Sequence, residues 1–273
     1  MHFITDLLQT IVFGLVAGIT EWLPVSEGAH MLLLDTLWPF SYESFYALFH
    51  SLIRIGSAAA VLYLFHDKLF SFLNEKRSAK RRDSLRLWLY IGLAALPLGF
   101  LSVILAPSVK EWLNAPFVYS VALIAFGIIL ILVSNAHLPV SILHMEQINV
   151  SVAIRIGLFL CLAIVPGTSM YAAALIAALL AGCTKSVAAR FSAMAGMPVL
   201  IVNAIGTLNM YIYNGSAISL FQVLILIVGC CMAFLASVFT LKWFARFMEN
   251  YSAKSFGWYR IVFGILLFAA FIL

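Results

Sequence analysis

The stretch that decides the fold reads Glu21-Trp22-Leu23-Pro24-Val25-Ser26-Glu27-Gly28-Ala29-His30. It places two carboxylates and an imidazole beside a proline and a glycine, inside otherwise apolar sequence. Ionisable side chains are costly inside a membrane, and they therefore indicate a functional site there. Non-helical backbone at membrane depth is tolerated only where it is buried in protein or lines a water-filled cavity. The stretch therefore predicts a polar pocket inside a bilayer.

The composition of the whole chain is that of a membrane protein. Of the 273 residues, 64% are hydrophobic and only 10% are charged, and the mean hydropathy is +1.07. A soluble domain carries about 25% charged residues. We expect a single integral membrane domain over residues 1–273, because no soluble domain fits between the apolar segments. The first residues lack a basic region and a small-residue cleavage site, so we expect no removable signal peptide.

The net charge of +5 is a membrane-topology signal, and we expect no nucleic-acid partner. Most of the excess lies in one loop, with the cations Lys68, Lys76, Arg77, Lys80, Arg81, Arg82 and Arg86 against three carboxylates. Cytoplasmic loops of membrane proteins carry such an excess of Lys and Arg. The four cysteines lie in apolar segments without metal-ligand spacing, and we expect them to be packing residues.

Six apolar segments come close to the roughly 20 residues that a spanning helix needs. Four carry no charge, namely 88–106, 117–134, 191–213 and 217–241. Two carry one arginine each, namely 50–65 with Arg54 and 256–273 with Arg260. The run 156–184 differs from these because it is longer and contains Pro166-Gly167-Thr168-Ser169. It needs a separate explanation.

Counting spans outward from the cation-rich loop explains the long run. If 68–86 is cytoplasmic, alternating spans place both ends of the segment 151–189 on the cytoplasmic side as well. We therefore expect a re-entrant hairpin, with two half-helices that meet at Pro166-Gly167 and are each too short to span alone. A single kinked span is the alternative, and it would break the charge rule once.

The N-terminal segment has the same plan in the opposite sense. Residues 7–20 form a short apolar helix, Pro24 interrupts it, and this hairpin must open to the outside. In each half a Pro is followed within three residues by a Ser, about ten residues after a Gly. Two interrupted segments in matching positions indicate an inverted repeat with the site between them. We expect an all-α polytopic membrane protein with about six spanning helices plus two inverted re-entrant helical hairpins, in repeat halves of about 1–115 and 116–273.

The residues at both breaks resemble the signatures of a known family. Gly18-Ile19-Thr20-Glu21-Trp22-Leu23-Pro24-Val25-Ser26, followed by His30, resembles the first signature of the undecaprenyl-diphosphate phosphatase (bacitracin-resistance) family. Pro166-Gly167-Thr168-Ser169 lies where the second signature begins, and both Ile53-Arg54-Ile55-Gly56-Ser57 and Tyr259-Arg260 are similar to further family stretches.

The resemblance implies a function and a location. It implies a multi-pass enzyme of the bacterial cytoplasmic (inner) membrane that removes the terminal phosphate of a C55 polyprenyl diphosphate. That reaction recycles the lipid carrier for peptidoglycan synthesis. The resemblance also implies two inverted re-entrant hairpins that meet near mid-membrane, in agreement with the charge rule.

The chain departs from the family pattern at positions that bear on catalysis. The departures are Ala17 for Glu, Glu27 for Ser, Arg54 for Gln, Met170 for Arg and Tyr171 for Ser. The family's Arg is a main phosphate ligand, and a Met cannot replace its bidentate contact. One hypothesis is a rearranged site, in which Glu27 and Arg54 stand in for the lost Glu and Arg. The alternative is that Glu27 and Arg54 form an ion pair in a protein that no longer hydrolyses anything.

The expected site combines the residues with the resemblance. The expected catalytic residues are Glu21, Ser26, Glu27 and His30. The expected substrate-binding residues are Arg54, Gly167, Thr168 and Ser169. Glu21 and Glu27 could hold a divalent metal, Mg or Ca. The serines could instead satisfy backbone groups freed by the breaks, and His30 could hydrogen-bond a hairpin carbonyl.

Three functions are compatible with this sequence. The first is hydrolysis of a polyprenyl diphosphate, the second is non-hydrolytic transport of such a lipid, and the third is binding of the lipid carrier by an inactive homologue. Membrane lipids are partners in all three, and fold alone does not choose among them. We expect Arg260 to snorkel to the membrane interface, although it could also reach a diphosphate.

Overall fold

The computed structural model describes residues 2–74, 78–113 and 115–272, and the regular structure in these ranges is helical. The helices are α1 (His2–Glu21), α2 (Glu27–Leu37), α3 (Glu43–Leu64), α4 (His66–Leu69), α5 (Ser71–Asn74), α6 (Ser78–Leu113), α7 (Pro116–Asn135), α8 (Val150–Leu160), α9 (Met170–Leu180), α10 (Lys185–Tyr213), α11 (Leu220–Asn250) and α12 (Lys254–Ile272). Short 3₁₀ turns cover Met145–Gln147 and Cys161–Ile164. Lys76 and Arg77 of the predicted cytoplasmic loop lie outside the described residues.

Within these ranges, seven helices are long and apolar enough to cross a membrane, which confirms the all-α polytopic fold. Six of them, α3, α6, α7, α10, α11 and α12, correspond to the six predicted spans. The seventh is α1, which has 20 residues where a shorter half-helix was predicted. Its contacts, rather than its length, show where it ends.

Polar contacts show that α1 and α2 form a hairpin whose two ends lie on one side. The Gln9 side-chain amide donates to the carbonyl oxygens of Trp38 at 3.0 Å and of Pro39 at 2.7 Å. The Tyr42 hydroxyl donates to the Asp6 carboxylate at 2.9 Å. The start of α1 therefore lies beside the end of α2 and the start of α3.

The far end of α1 lies half way along α3. Glu21, the last residue of α1, contacts Arg54 in α3. At a rise of 1.5 Å per residue, Arg54 is about 16 Å from the first residue of α3 and about 15 Å from the last. The break between α1 and α2 is therefore at mid-depth of a spanning helix, as a re-entrant hairpin requires.

The second hairpin opens on the opposite side. Ser141, in the loop before α8, donates its backbone N–H to the carbonyl oxygen of Gly182 just after α9, at 3.0 Å. Both ends of the α8–α9 pair therefore lie together. Lys68, beyond the C-terminal end of α3, contacts Glu146 in the same loop at 3.1 Å. This hairpin opens at the C-terminal end of α3, whereas the first opens at its N-terminal end.

The cation-rich loops share that second face, as the charge rule predicts. The Lys185 ammonium donates to the carbonyl oxygen of Tyr251 at 3.1 Å. The Arg190 guanidinium contacts the Glu249 carboxylate at 3.1 Å. With the Lys68 contact, these bonds bring the loops after α3, before α8, after α9 and after α11 to one end of the bundle.

Two glycines let the first helix of each hairpin approach a spanning helix closely. A Cβ on Gly14 in α1 would lie 2.7 Å from the Gly229 carbonyl oxygen in α11, and one on Gly157 in α8 would lie 2.8 Å from the Ala94 carbonyl oxygen in α6. Small residues at helix interfaces are the usual device for close packing in membranes. The pairs α1–α11 and α8–α6 are the exchange that an inverted repeat would produce. The boundary between the repeat halves stays a prediction.

Candidate active site

Both hairpin breaks end in a serine with a left-handed backbone. Ser26 and Ser169 have φ angles of 74° and 69°, and they are the non-glycine residues with positive φ in the described part of the chain. This conformation costs a non-glycine residue on the order of 1–3 kcal/mol and persists only where the surroundings fix it. Because each serine precedes the second helix of its hairpin, the two breaks match in backbone as well as in sequence.

The two serine side chains have different roles. Ser169 accepts a hydrogen bond from the backbone N–H of Ala172 at 3.2 Å and so caps α9. Ser26 makes no equivalent side-chain cap on α2. The predicted substrate-binding role of Ser169 therefore competes with a structural one, while the Ser26 hydroxyl is not committed to its helix.

Glu21 and Arg54 form the central ion pair of the site. The Arg54 Nε donates to Glu21 Oε2 at 2.7 Å, and the second guanidinium bond to Glu21 Oε1 measures 3.2 Å. The contact between Arg54 Nε and Glu27 Oε2 is longer, at 3.8 Å. Arg54 thus pairs more closely with Glu21 than with Glu27, because its planar guanidinium binds both Glu21 oxygens. The Glu27–Arg54 pair considered from sequence is the weaker of these two pairs.

The principal partner of Glu27 is His50, a residue that the sequence reasoning missed. His50 Nε2 lies 2.7 Å from Glu27 Oε1, and the imidazole retains 25% of its side-chain exposure. His50 precedes Arg54 by four residues, so both lie on one face of α3. This i, i+4 spacing was the available signal. Glu21 and Glu27 are themselves nearly buried, with 3% and 6% exposure.

His30 is held in one tautomer by two hydrogen bonds. Its Nδ1 lies 2.8 Å from the Ser26 carbonyl oxygen, and its Nε2 lies 2.6 Å from the Tyr259 hydroxyl in α12. A carbonyl oxygen can only accept, so Nδ1 carries a proton, and in the neutral ring Nε2 then accepts from the tyrosine hydroxyl. The alternative role considered from sequence, a bond to a hairpin carbonyl, is thus present together with an oriented Nε2.

Arg260 joins the two hairpin tips. It is fully buried and donates to the carbonyl oxygens of Pro24 at 3.2 Å, Gly167 at 2.8 Å and Thr168 at 3.0 Å. The expectation that Arg260 snorkels to the interface was wrong. The two breaks free carbonyl groups at membrane depth, and these require an internal donor.

The hydrogen bonds of Arg260 also involve Gly167 and Thr168. Both were predicted to bind substrate, and in the structure their carbonyl oxygens accept from Arg260. The Thr168 hydroxyl is buried without a hydrogen-bond partner among the described residues. Gly167 has φ of 91°, and a Cβ there would lie 2.6 Å from the Tyr119 carbonyl oxygen, so glycine is required.

The positions where the family carries charge are packed with apolar groups here. Ala17 is fully buried in a cluster with Phe13, Phe49 and Ile53. The Met170 methyl group packs against Gly196 in α10, so closely that a Cβ on that glycine would lie 2.9 Å from it. Met170 therefore fills the space beside α10. The basic side chains that meet Glu21 and Glu27 instead come from α3, which supplies His50 and Arg54.

The net charge of the site is compatible with a bound cation. Glu21 and Glu27 bring two negative charges and Arg54 one positive charge, so the group is negative while His50 is neutral. Within the described ranges, no group of three or more His, Cys, Asp or Glu side chains is placed to hold a metal. Glu21 and Glu27 are the two carboxylates of the site that could hold an ion, and Mg²⁺ usually takes one or two carboxylates plus substrate phosphates.

An apolar cavity of about 450 Å³ reaches the site from the side of α1 and α12. Its walls include Val16, Ile19 and Leu23, and His30 and Tyr259 also line it. The cavity volume lies within the range of small-ligand pockets. The apolar space therefore adjoins His30 and Tyr259, whereas Glu21, Glu27, His50 and Arg54 do not line it.

Comparisons with known proteins agree with this geometry. The family described as bacitracin resistance protein BacA matches residues 10–266. Undecaprenyl-diphosphatase 1 of Clostridioides difficile (strain 630) is 34% identical over 270 residues, which cover 98% of this chain and 97% of the relative. Undecaprenyl-diphosphatase of Enterococcus faecalis is 32% identical, with 96% of each chain covered. That of Acetivibrio thermocellus is 31% identical, with 98% of each chain covered.

Proposed function

The chain belongs to the bacitracin resistance protein BacA family, and on that premise we propose that it hydrolyses a polyprenyl diphosphate in the bacterial cytoplasmic membrane. The observation that carries the proposal is the meeting of two buried carboxylates, an arginine and two histidines where the two hairpins converge. The substrate class, a C55 polyprenyl diphosphate, comes from the names of the relatives and from the apolar cavity beside His30.

The proposed reaction is attack of water on the terminal phosphorus. The bond between that phosphorus and the bridging oxygen breaks, which releases inorganic phosphate and leaves the lipid monophosphate. Most of the catalytic demand is charge neutralisation on the phosphoryl oxygens. Arg54 is the cation placed for this, since its guanidinium already binds a pair of carboxylate oxygens with the geometry that suits phosphate. It would replace the arginine that the family carries on the second hairpin.

Proton transfer falls to the pair of Glu27 and His50. A carboxylate that binds one imidazole nitrogen orients the ring and stabilises its protonated form, as in other general-base pairs. The 2.7 Å contact and the partial exposure of His50 allow it to accept a proton from the attacking water and pass it to solvent. We assign Ser26 to a phosphoryl contact, and we assign His30 to the head group, which the ring would reach by exchanging its bond to the Tyr259 hydroxyl for one to a phosphoryl oxygen.

We also propose a divalent cation, Mg²⁺ or Ca²⁺, as cofactor. A diphosphate adds negative charge to a centre that is already negative, and a buried excess of this size needs compensation. Glu27, whose Oε2 has only the 3.8 Å contact to Arg54, and Glu21 would hold the ion. When bound, it would polarise the phosphoryl oxygens of the substrate.

The test is phosphate release by the purified protein. A polyprenyl diphosphate in detergent is mixed with the protein in Mg²⁺, in Ca²⁺ and in a chelator, with Glu21→Gln as the matched control of equal size. We expect release that exceeds the control at least a hundredfold and that falls in the chelator. Binding of the lipid without release above the control would overturn hydrolysis and favour the carrier or transport alternatives.

A further inference from the structure

Tyr46 lies on the face of α3 that carries the basic side chains of the site. Tyr46, His50 and Arg54 follow one another at intervals of four residues. Side chains four residues apart on a helix are neighbours. Tyr46 is therefore the neighbour of His50 on the side of the helix start, as Arg54 is on the other side.

The rings of Tyr46 and His50 stack on each other. Their planes are inclined by 11° and their centroids are 5.9 Å apart. Parallel, offset rings with centroids about 4.5–7 Å apart attract one another. The other contact of the imidazole is at its edge, where Nε2 lies 2.7 Å from Glu27 Oε1. The imidazole is therefore held at one edge by Glu27 and on one face by Tyr46.

The stack supplies an orientation that the Glu27 contact alone leaves open. The last torsion of a histidine side chain has broad minima, so one hydrogen bond fixes a ring atom but not the ring plane. An ionised carboxylate only accepts hydrogen bonds, so Nε2 of His50 carries a proton and Nδ1 is the basic nitrogen of the neutral ring. The direction in which Nδ1 points depends on the ring plane, and the Tyr46 ring fixes that plane.

Neighbouring aromatic groups hold the Tyr46 ring itself in place. The Phe13 ring of α1 meets it edge-on, with centroids 6.0 Å apart and planes at 88°. The centroid of the Phe40 ring, in the segment between α2 and α3, is 5.7 Å away. The Tyr46 hydroxyl donates to the carbonyl oxygen of Met31 in α2 at 3.4 Å, which is long for a hydroxyl hydrogen bond. Tyr46 therefore connects His50 to the first hairpin mainly through its ring.

We propose that Tyr46 is a positioning residue for His50: its ring holds the imidazole plane so that Nδ1 faces the water that attacks the terminal phosphorus. The inference rests on the proposed hydrolysis, in which His50 accepts a proton from that water. In this role Tyr46 takes no proton and touches no reacting atom. Its aromatic ring acts rather than its hydroxyl, because the ring is what contacts His50.

The test compares a variant that lacks the ring with one that keeps it. Tyr46→Leu removes the ring and keeps apolar volume, whereas Tyr46→Phe removes only the hydroxyl. Phosphate release from a polyprenyl diphosphate in detergent is measured at steady state. Small misplacements of a reacting group cost up to about a hundredfold in rate, so we expect Tyr46→Leu to lower kcat about tenfold with little change in KM. Tyr46→Phe should recover most of that loss.

Phe45→Leu is the matched control on the same helix. The Phe45 ring contacts the rings of Phe49 and Tyr211, with centroids 6.5 and 6.2 Å away, and it is not stacked on His50. We expect this control to leave kcat nearly unchanged.

A double variant separates the positioning of His50 from a general loss of structure. In a His50→Gln protein the ring that Tyr46 orients is absent, so adding Tyr46→Leu should lower kcat no further. A further loss of about tenfold in that background would show a general structural effect and would overturn the inference.

The remaining outcomes distinguish this inference from the proposed function. If the unchanged protein releases phosphate and Tyr46→Leu does so at the full rate, the inference alone is wrong. If the unchanged protein releases none, the proposed function is wrong and the inference fails with it. An unfolding temperature no lower than that of Phe45→Leu checks that Tyr46→Leu is folded. If it is lower, Tyr46→Met takes its place with the same expectation, because the flexible Met side chain fills irregular space.

Discussion

Replacing Arg260 by Met should separate the two hairpin tips while leaving the apolar volume nearly filled. Arg260 is fully buried and makes two of its backbone bonds at 3.0 Å or shorter, both to the second hairpin, and a third at 3.2 Å to the first. Among the hydrogen bonds of the described residues, those of Arg260 link the Pro24 carbonyl to the second break, and the rings of Trp22 and Tyr171 also meet there with centroids 6.0 Å apart. The arginine is therefore a positioning residue for groups that it does not itself deliver to substrate.

The expected loss of stability follows from those bonds. A hydrogen bond from a charged donor contributes about 1.5–3 kcal/mol, so the two short bonds together contribute about 3–6 kcal/mol. The cost of burying the guanidinium, several kcal/mol, offsets part of this gain. Carbonyl oxygens left unsatisfied by Met cost about 1–3 kcal/mol each. The gain from the bonds and the cost of burial roughly cancel, so the three unsatisfied carbonyl oxygens set the result, and we expect a net destabilisation of at least about 3 kcal/mol.

The assay measures stability and catalysis separately. Unfolding temperature is recorded in detergent, and phosphate release is recorded well below the unfolding temperature of the variant. Arg260→Lys is a second variant, because Lys keeps the charge but lacks the planar fork that reaches both tips. We expect Arg260→Lys to lower kcat at least tenfold with a smaller stability loss than Met causes.

Arg190→Met is the matched control for this experiment. Its partner Glu249 is exposed, and exposed ion pairs contribute about 0–1 kcal/mol. The reasoning would be refuted by an Arg260→Met protein that unfolds at the same temperature as the Arg190→Met control and hydrolyses at the full rate.

Three other predictions follow from the described contacts. His50→Gln should lower kcat about a hundredfold with little change in KM. The double variant Glu27→Gln/His50→Gln should lose little more activity than the single variant, because the effects of groups that act as a unit are not additive. A steady-state comparison of the single and double variants checks this, and additive losses would contradict the pairing. Gly157→Ala should destabilise the protein by about 1–3 kcal/mol, because the added Cβ would lie 2.8 Å from the Ala94 carbonyl oxygen. Gly206→Ala is the control, and it should be neutral or stabilising because the space around Gly206 is open. Thermal unfolding of both variants tests this difference. The pKa of the Glu146 carboxyl is held below its usual value, first by a hydrogen bond from its own backbone N–H and next by Lys68. The stability that this contributes is present above the unfolded-state pKa and is lost as pH falls through the folded-state pKa. Glu146→Gln should therefore cost at most about 1 kcal/mol near neutral pH and nothing in acid, as unfolding measured across pH would show.

The topology could be predicted from sequence because two strong rules act on it together. Apolar length separates the six spans, and the Lys and Arg excess assigns the loops to sides. These rules predicted two opposed hairpins, and the contacts of Gln9 and of Gly182 place their ends accordingly. The length of α1 was underestimated because polar residues near its start, such as Asp6, interrupt the apolar pattern although they are part of the helix.

The pairing within the site could not be predicted because it depends on angles between helices. Glu21 and Glu27 are six residues apart, and either could have faced Arg54. Which one does depends on how α1 ends and how the Ser26 backbone redirects the chain into α2. His50 was missed because a single histidine at the start of an apolar run resembles an interfacial residue. Only its one-turn spacing to Arg54 distinguishes it.

The contribution of α3 explains how a site can keep its chemistry while losing family residues. α3 meets the first hairpin at Glu21 and Glu27, so a positive charge on α3 reaches both carboxylates. Arg54 binds Glu21 directly, and Met170 packs into the space beside α10 instead of carrying charge. The net inventory of two carboxylates, one arginine and a histidine is therefore retained although two of its members changed position. If this exchange preserves function, the charge itself matters more than the element that delivers it, and Arg54→Gln should abolish phosphate release even though glutamine is the family residue there.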